Sequence, residues 1–124
     1  MTIPRDLAFT PAVELARLYR RRAVSPLEVV QAALARIDAL NPGVNAFVTL
    51  VREEALREAR RATAAMRRGR ALPPLFGVPV GIKEVTPTKG VLTTYGSTLF
   101  KDHVPDVDAL VVERLRAAGA IVLG

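Results

Sequence analysis

Cysteine and tryptophan are absent from the 124 residues, and there is a single histidine, His103. Without thiols, a disulfide scaffold, a zinc ribbon, an iron–sulfur site and a cysteine nucleophile are all excluded. A Ser-His-Asp triad would have to use His103 itself. Serine is scarce too, with only Ser25 and Ser97. Long apolar runs are missing. The longest uncharged stretch is 13 residues, Ala39–Val51, and Asn41-Pro42-Gly43 interrupts it, so no membrane-spanning helix fits. Arg5 and Asp6 stand where a signal peptide would need apolar residues. The expectation is a cytoplasmic protein with no membrane partner.

What is present resembles an ordinary soluble domain: 50% hydrophobic residues, 24% charged, and a net charge of +6. The length suits one domain with a real core. All of the excess charge falls in residues 1–70, which hold 13 basic and 7 acidic groups. Residues 71–124 hold 5 of each. A nucleic-acid binder would combine a basic patch with aromatics or a known motif. Here the arginines follow helix faces and the aromatics number six, so solvated helix faces are the better account and no nucleic-acid partner is expected.

Residues 1–70 read as helical. Thr10-Pro11 looks like an N-cap with proline at the first helical position, followed by Leu15, Leu18 and Tyr19 on one face. Ser25-Pro26-Leu27-Glu28 is a capping box. Leu27, Val30, Leu34, Ile37 and Leu40 form its stripe, and Asn41-Pro42-Gly43 is expected to stop the helix. Asn45–Val51 suits a strand or an extended segment. A charged helix should cover Arg52–Arg68, with Ala55, Leu56, Ala59, Ala62 and Met66 inward and Gly69 beyond its end.

Residues 72–124 read as strand, loop, helix and strand. Val78–Ile82 is a nearly continuous apolar run, expected as a strand buried on both faces. Residues 86–105 form a long loop of a kind that is often functional. Asp106 is placed to cap a helix over Val107–Ala118 with Leu110, Val111 and Leu115 inward. Gly119 ends that helix, and Ala120–Leu123 is the second strand. Two buried strands joined by a helix predict a right-handed βαβ unit with parallel strands. The fold class is therefore α/β, with N-terminal helices packed on a parallel or mixed sheet. Because two strands do not complete such a sheet, an incomplete domain with unpaired strand edges is expected.

Lys83 is the candidate for chemistry. It follows the first buried strand, at the carboxyl end where open α/β sheets bind ligands. Partly desolvated there, it would be neutral often enough to act as a base. The plainer alternative is a strand-end lysine paired with Glu84 or an aspartate. Thr93-Thr94-Tyr95-Gly96-Ser97 offers hydroxyls, but no base is identifiable beside Ser97, and a hydrogen-bonded turn explains it as well. The roles of Thr94, Ser97 and His103 stay open. No metal-ligand cluster or phosphate-binding glycine loop is visible, and neither a metal nor a cofactor is expected.

Pro74-Leu75-Phe76-Gly77-Val78-Pro79-Val80-Gly81-Ile82-Lys83-Glu84 resembles the "PLxGxPxxxKD" segment of the amidase signature family. Thr93–Ser97 is similar to its "TTxGS" loop. Asp108-Ala109 with Val111–Ala120 is similar to its "DAxxVxxLxxAGA" helix and turn, and Leu27–Val44 to its N-terminal helix. The resemblance covers nearly the whole chain, in order. It implies amide hydrolysis by a Ser–Ser–Lys triad, with Lys83 as the general base. Glu84 departs from the commoner aspartate. It also implies that both serines lie in a downstream segment, since neither Ser25 nor Ser97 matches them. Residues 1–124 then read as the N-terminal portion of an amidase domain, an incomplete part of that fold. This portion would be inactive alone, with a small amide as the substrate of the complete enzyme. Its partner would be the remainder of the amidase domain or a second copy. The competing reading is a truncated, non-catalytic module that binds a partner through its exposed strand edges.

Overall fold

A computed structural model describes residues 6–69 and 71–124; positions 1–5 and 70 of the helical half lie outside the described residues. Four helices and two short strands follow in order: α1 (Ala12–Arg20), α2 (Pro26–Val44), α3 (Arg52–Arg67), β1 (Pro79–Val80), α4 (Leu110–Ala117) and β2 (Ile121–Val122).

The capping box forms as expected. Ser25 Oγ accepts from the Glu28 N–H, and the Glu28 carboxylate accepts from the Ser25 N–H at 2.8 Å and from the Ser25 hydroxyl at 2.6 Å. These bonds hold the Glu28 carboxyl below its ordinary pKa. The end of α2 differs from expectation. Asn41-Pro42-Gly43 does not stop it; the helix runs on to Val44 and ends on Asn45, whose φ is 49°. Pro42 lies in the last turn, so it disrupts little, and asparagine tolerates the left-handed cap better than most residues. At α1, Pro11 itself occupies the N-cap position. Thr10 turns its hydroxyl back to the Asp6 carbonyl at 3.3 Å and does not cap α1.

Two apolar clusters hold the helices. Leu15, Leu18 and Tyr19 of α1 bury, as their spacing predicts, against Val24, Val29, Met66 and Val78. Val30 and Leu34 of α2 meet Ala55 and Ala59 of α3 and Ile121 and Leu123 of the second strand segment. The alanines let α3 approach α2 closely, while Leu40, at the far end of the stripe, is left half exposed.

β1 and β2 pair in parallel, with Pro79 opposite Ile121 and Val80 opposite Val122. Backbone bonds extend this contact in both directions: Gly77 N–H to Gly119 C=O at 2.8 Å, and Ile82 N–H to Gly124 C=O at 2.8 Å. The expected parallel neighbours are therefore present, as is the α/β class, although only two residues of each run are regular strand. β2 is buried but β1 is only half-buried, so the expectation of a first strand covered on both faces is not met. Among the described residues β1 has one strand neighbour, which leaves its other edge without a strand partner. Asn45–Val51 is not a strand; it is irregular, with a bend at Val48–Thr49, and is tied to the residue after β2 by Val51 N–H on the Leu123 carbonyl at 2.9 Å.

α4 begins three residues later than predicted, and Asp106 does not cap it. Residues 108 and 109 are drawn instead into the loop. Asp108 accepts from Lys89 N–H at 2.7 Å, and Ala109 N–H donates to the Pro87 carbonyl at 2.9 Å. The inward face moves accordingly. Val112 is fully buried, while Leu110 and Val111 are 63% and 54% exposed.

Gly77 enters β1 at φ 70°, where an added Cβ would lie 2.6 Å from Pro26 Cγ. Gly90 has φ 75° with open space around it. Gly77→Ala should therefore cost about 2–4 kcal/mol, combining backbone strain with overpacking. Gly90→Ala should cost about 1–2 kcal/mol. Urea unfolding of the two variants side by side measures the difference, and equal losses would contradict the packing described.

Candidate active site

The parallel pairing puts the carboxyl ends of both strands on one side. Ile82, Lys83 and Glu84 leave β1 there, and Gly124 leaves β2 beside them. Lys83 is framed by backbone bonds: the preceding N–H, of Ile82, is held by Gly124, and the Lys83 carbonyl accepts from Thr86 N–H at 2.9 Å. Its side chain is exposed. The expected partial desolvation is thus not found in this chain. The alternative weighed for Lys83, pairing with Glu84, does not form. Glu84 Oε1 accepts the Thr94 N–H at 2.6 Å and the Thr94 hydroxyl at 2.7 Å.

A hollow of about 340 Å³ opens beside Lys83, lined also by Phe47, Thr49, Gly81, Glu84 and Gly124. Phe47 supplies its apolar wall. The ring packs on Gly81 so closely that a Cβ there would lie 3.1 Å from Phe47 Cζ. Asn41 holds this wall in place. Its side-chain amide donates to the Phe47 carbonyl at 2.9 Å and accepts from the Phe47 N–H at 2.8 Å. In the sequence Asn41 reads as part of a helix stop and of the family's N-terminal helix motif, and neither it nor Phe47 is assigned a site role. The signal was the Asn41 to Phe47 spacing, which lets one amide bridge a left-handed turn at Asn45.

Thr94–Ser97 forms a tight turn, closed by Ser97 N–H on the Thr94 carbonyl at 2.9 Å, with Tyr95 at φ 53° and Gly96 at φ 69°. Ser97 Oγ accepts from Leu99 N–H at 3.3 Å, which is a capping role. His103 stacks on Tyr95 at 5.6 Å between ring centres, and Phe100 meets both rings edge-on. The structure thus brings Thr94 to the strand end through Glu84 and places Ser97 and His103 in loop packing.

A larger hollow, about 480 Å³, lies between α3 and α4. Phe76, Gly119 and Ala120 line it, so it sits at the opposite ends of the strands from Lys83, away from where such sheets bind ligands. Glu58 and Arg116 pair across it at 3.5 Å. Burial pushes the Glu58 carboxyl above its ordinary pKa, against the pull of Arg116. Arg116 Nε also lies 3.2 Å from Asp108 Oδ2, but off the line of a hydrogen bond. Among the described residues no group of three His, Cys, Asp or Glu side chains gathers to hold a metal ion, and no helix is long and apolar enough to cross a membrane.

Comparison with known proteins places these features in a family. A family model described as Amidase matches residues 28–124. The chain is 44% identical over 119 residues to a subunit of the glutamyl-tRNA(Gln) amidotransferase of Moorella thermoacetica, covering 96% of this chain and 24% of that protein. It superposes on the peptide amidase of Stenotrophomonas maltophilia with a TM-score of 0.88 at 35% identity, covering 98% of this chain and 25% of that one. Fatty acid amide hydrolase shares the fold, with a TM-score of 0.88 at 22% identity over 98% of this chain and 22% of that one. The chain therefore spans about a quarter of the length of the relatives it matches.

Asn41→Asp should test the Phe47 wall. The carboxylate can still accept from Phe47 N–H but faces the Phe47 carbonyl without a donor. A loss of about 1–3 kcal/mol in unfolding free energy is expected. A change within about 0.5 kcal/mol, the ordinary range for surface sites, would show that the amide bridge does not hold the wall.

Proposed function

The chain belongs to the amidase signature family, and from that premise we propose that it supplies the general base, Lys83, of an enzyme that hydrolyses amide C–N bonds by a Ser–Ser–Lys mechanism. The observation that carries this is the place of Lys83. It lies three residues past the carboxyl end of β1, within the family's own segment, with its backbone fixed on both sides and its amine unshared with Glu84.

In the whole enzyme the neutral Lys83 amine takes a proton from a bridging serine, which takes one from the nucleophilic serine. The nucleophile adds to the amide carbon, and backbone N–H groups stabilise the resulting oxyanion. The lysine's proton returns through the bridge to the leaving amine as the C–N bond breaks. Water then cleaves the acyl-enzyme by the same route, releasing the acid. Both serines come from outside the 124 residues, because Ser25 and Ser97 serve as caps. The rest of that protein also covers the β1 edge that lacks a strand partner and removes water from Lys83. On its own the chain has a base and nothing for it to activate. Its partners are a small-molecule amide in the complete enzyme, and the remainder of the amidase domain or a second copy at the open strand edge. In this hydrolytic reading no nucleic acid, membrane or cofactor takes part, and the setting is cytoplasmic.

A second reading is amidotransfer, in which the freed ammonia passes to an acceptor. The 44% identity to a subunit of the amidotransferase favours it. Lys83 has the same task in both.

Lys83→Ala in the whole enzyme should lower kcat by about 100-fold or more, the ordinary contribution of a general base, with the unfolding temperature unchanged. Steady-state turnover of a small aryl amide reads the effect. Retention of more than about a tenth of the activity would rule out the role.

A further inference from the structure

The carboxylate beside the proposed base is engaged by a loop. Two hydrogen bonds reach Glu84 Oε1 from one residue, Thr94, at 2.6 Å and 2.7 Å. Bonds to an ionised acceptor are short and about twice as strong as neutral ones. Because one comes from the backbone and the other from the side chain, they fix both the distance of the loop and its orientation.

What Glu84 grips is strained. Tyr95 lies at φ 53°, a left-handed conformation that side chains other than asparagine and aspartate seldom adopt. Such backbone persists only where its surroundings over-determine it. On one side the surroundings are the Tyr95, Phe100 and His103 rings, packed at 5.2–5.8 Å. On the other side is Glu84. The grip extends through the turn, since Thr94 Oγ1 also accepts from Gly96 N–H at 3.3 Å. The arms of the loop pair with each other as well, through Thr93 N–H on the His103 carbonyl and Gly90 N–H on the Pro105 carbonyl, both at 2.9 Å. The loop is thus cross-braced, and among the described residues the charged group that ties it to the strand end is Glu84, the residue after Lys83.

We propose that Glu84 is a positioning residue. By holding Thr94 it fixes the Thr94–Ser97 turn against the carboxyl end of β1, and so sets the direction from which Lys83 meets the reacting groups. The proposal rests on the assignment of Lys83 as base. Glu84 moves no proton in it; its carboxylate acts only as an acceptor from Thr94.

The test uses the whole enzyme, a small aryl amide, and four variants: Lys83→Ala, Glu84→Gln, Glu84→Asp and Thr94→Val. Misplacing a reacting group by about 1 Å costs about 100-fold in rate. Glu84→Gln should therefore lower kcat by about 10- to 100-fold with KM within about threefold. Thr94→Val keeps the N–H and loses the hydroxyl, so it should fall between that variant and the parent. Combining the two should cost no more than Glu84→Gln alone, as expected for partners in one interaction. Glu84→Asp keeps the charge on a shorter stem and should recover part of kcat. Hydrogen exchange over residues 93–97 should rise in the order of the kcat losses. If Glu84→Gln fails to fold, Thr94→Val carries the same kcat-against-KM split. Unchanged kcat with faster loop exchange would overturn the proposal, by showing a purely structural tether. Additive losses in the double variant would overturn it too. Loss of activity in Lys83→Ala with full activity in Glu84→Gln would refute the positioning role alone. Activity retained in Lys83→Ala would remove the assignment on which it rests.

Discussion

The parallel backbone contact between residues 77–82 and 119–124 is the constraint on which the rest of the structure depends. Its bonds each contribute only about 1 kcal/mol net, so its importance is directional. Parallel pairing forces a long crossover, and the chain makes one from the loop after Lys83 and from α4. It also sends both strand ends to one side, so that Lys83, Glu84 and Gly124 emerge together. The opposite end receives Phe76, Gly119 and the Glu58–Arg116 pair. One topological choice thus separates the candidate site from the larger but chemically remote hollow.

Around that contact, short polar tethers do what a larger core would otherwise do. Tyr19 donates its hydroxyl to the Gly77 carbonyl at 3.0 Å, and burial keeps the phenol protonated by raising its pKa. Asn41 holds the Phe47 backbone, Glu84 holds Thr94, and Asp108 holds Lys89. Each joins segments six or more residues apart at a point where no regular ladder passes. The crossover loop consequently has a defined shape despite its scarcity of buried side chains. Val91 and Thr93 are buried in it, whereas Leu99 is 89% exposed.

Much of this was legible in the sequence, and the parts that were not share a cause. The Ser25–Glu28 box, the Leu15-Leu18-Tyr19 face, the Ala55–Ala59 seam and the parallel order of the two strands all follow from local pattern and spacing. Lys83 stands at the strand end for the same reason. The errors arose where a distant partner outweighed the local signal. Asp106 looks like a cap, but the 87–89 segment draws residues 108 and 109 away from helical geometry. Asn41 looks like a stop, but its amide is needed by Phe47, and the helix runs on over Pro42. Leu110 and Val111 look inward by periodicity, and a later helix start turns Val112 inward in their place. Glu84, the alternative partner for Lys83, is engaged instead by a threonine ten residues further on. Exposure of Lys83 belongs to the same class, because burial of a strand end depends on chain that lies beyond the pattern itself.

A base held by its backbone and lacking a nucleophile is the central claim. Turnover of a panel of small aryl amides by the purified 124-residue chain tests it most directly. Each oxyanion-hole donor is worth about 3 kcal/mol, and neither those donors nor the serine nucleophile is supplied by Ser25 or Ser97. The account predicts no turnover above the rate in buffer. Turnover that survives repurification and disappears in Lys83→Ala would contradict it, and would show that a nucleophile lies within these residues after all.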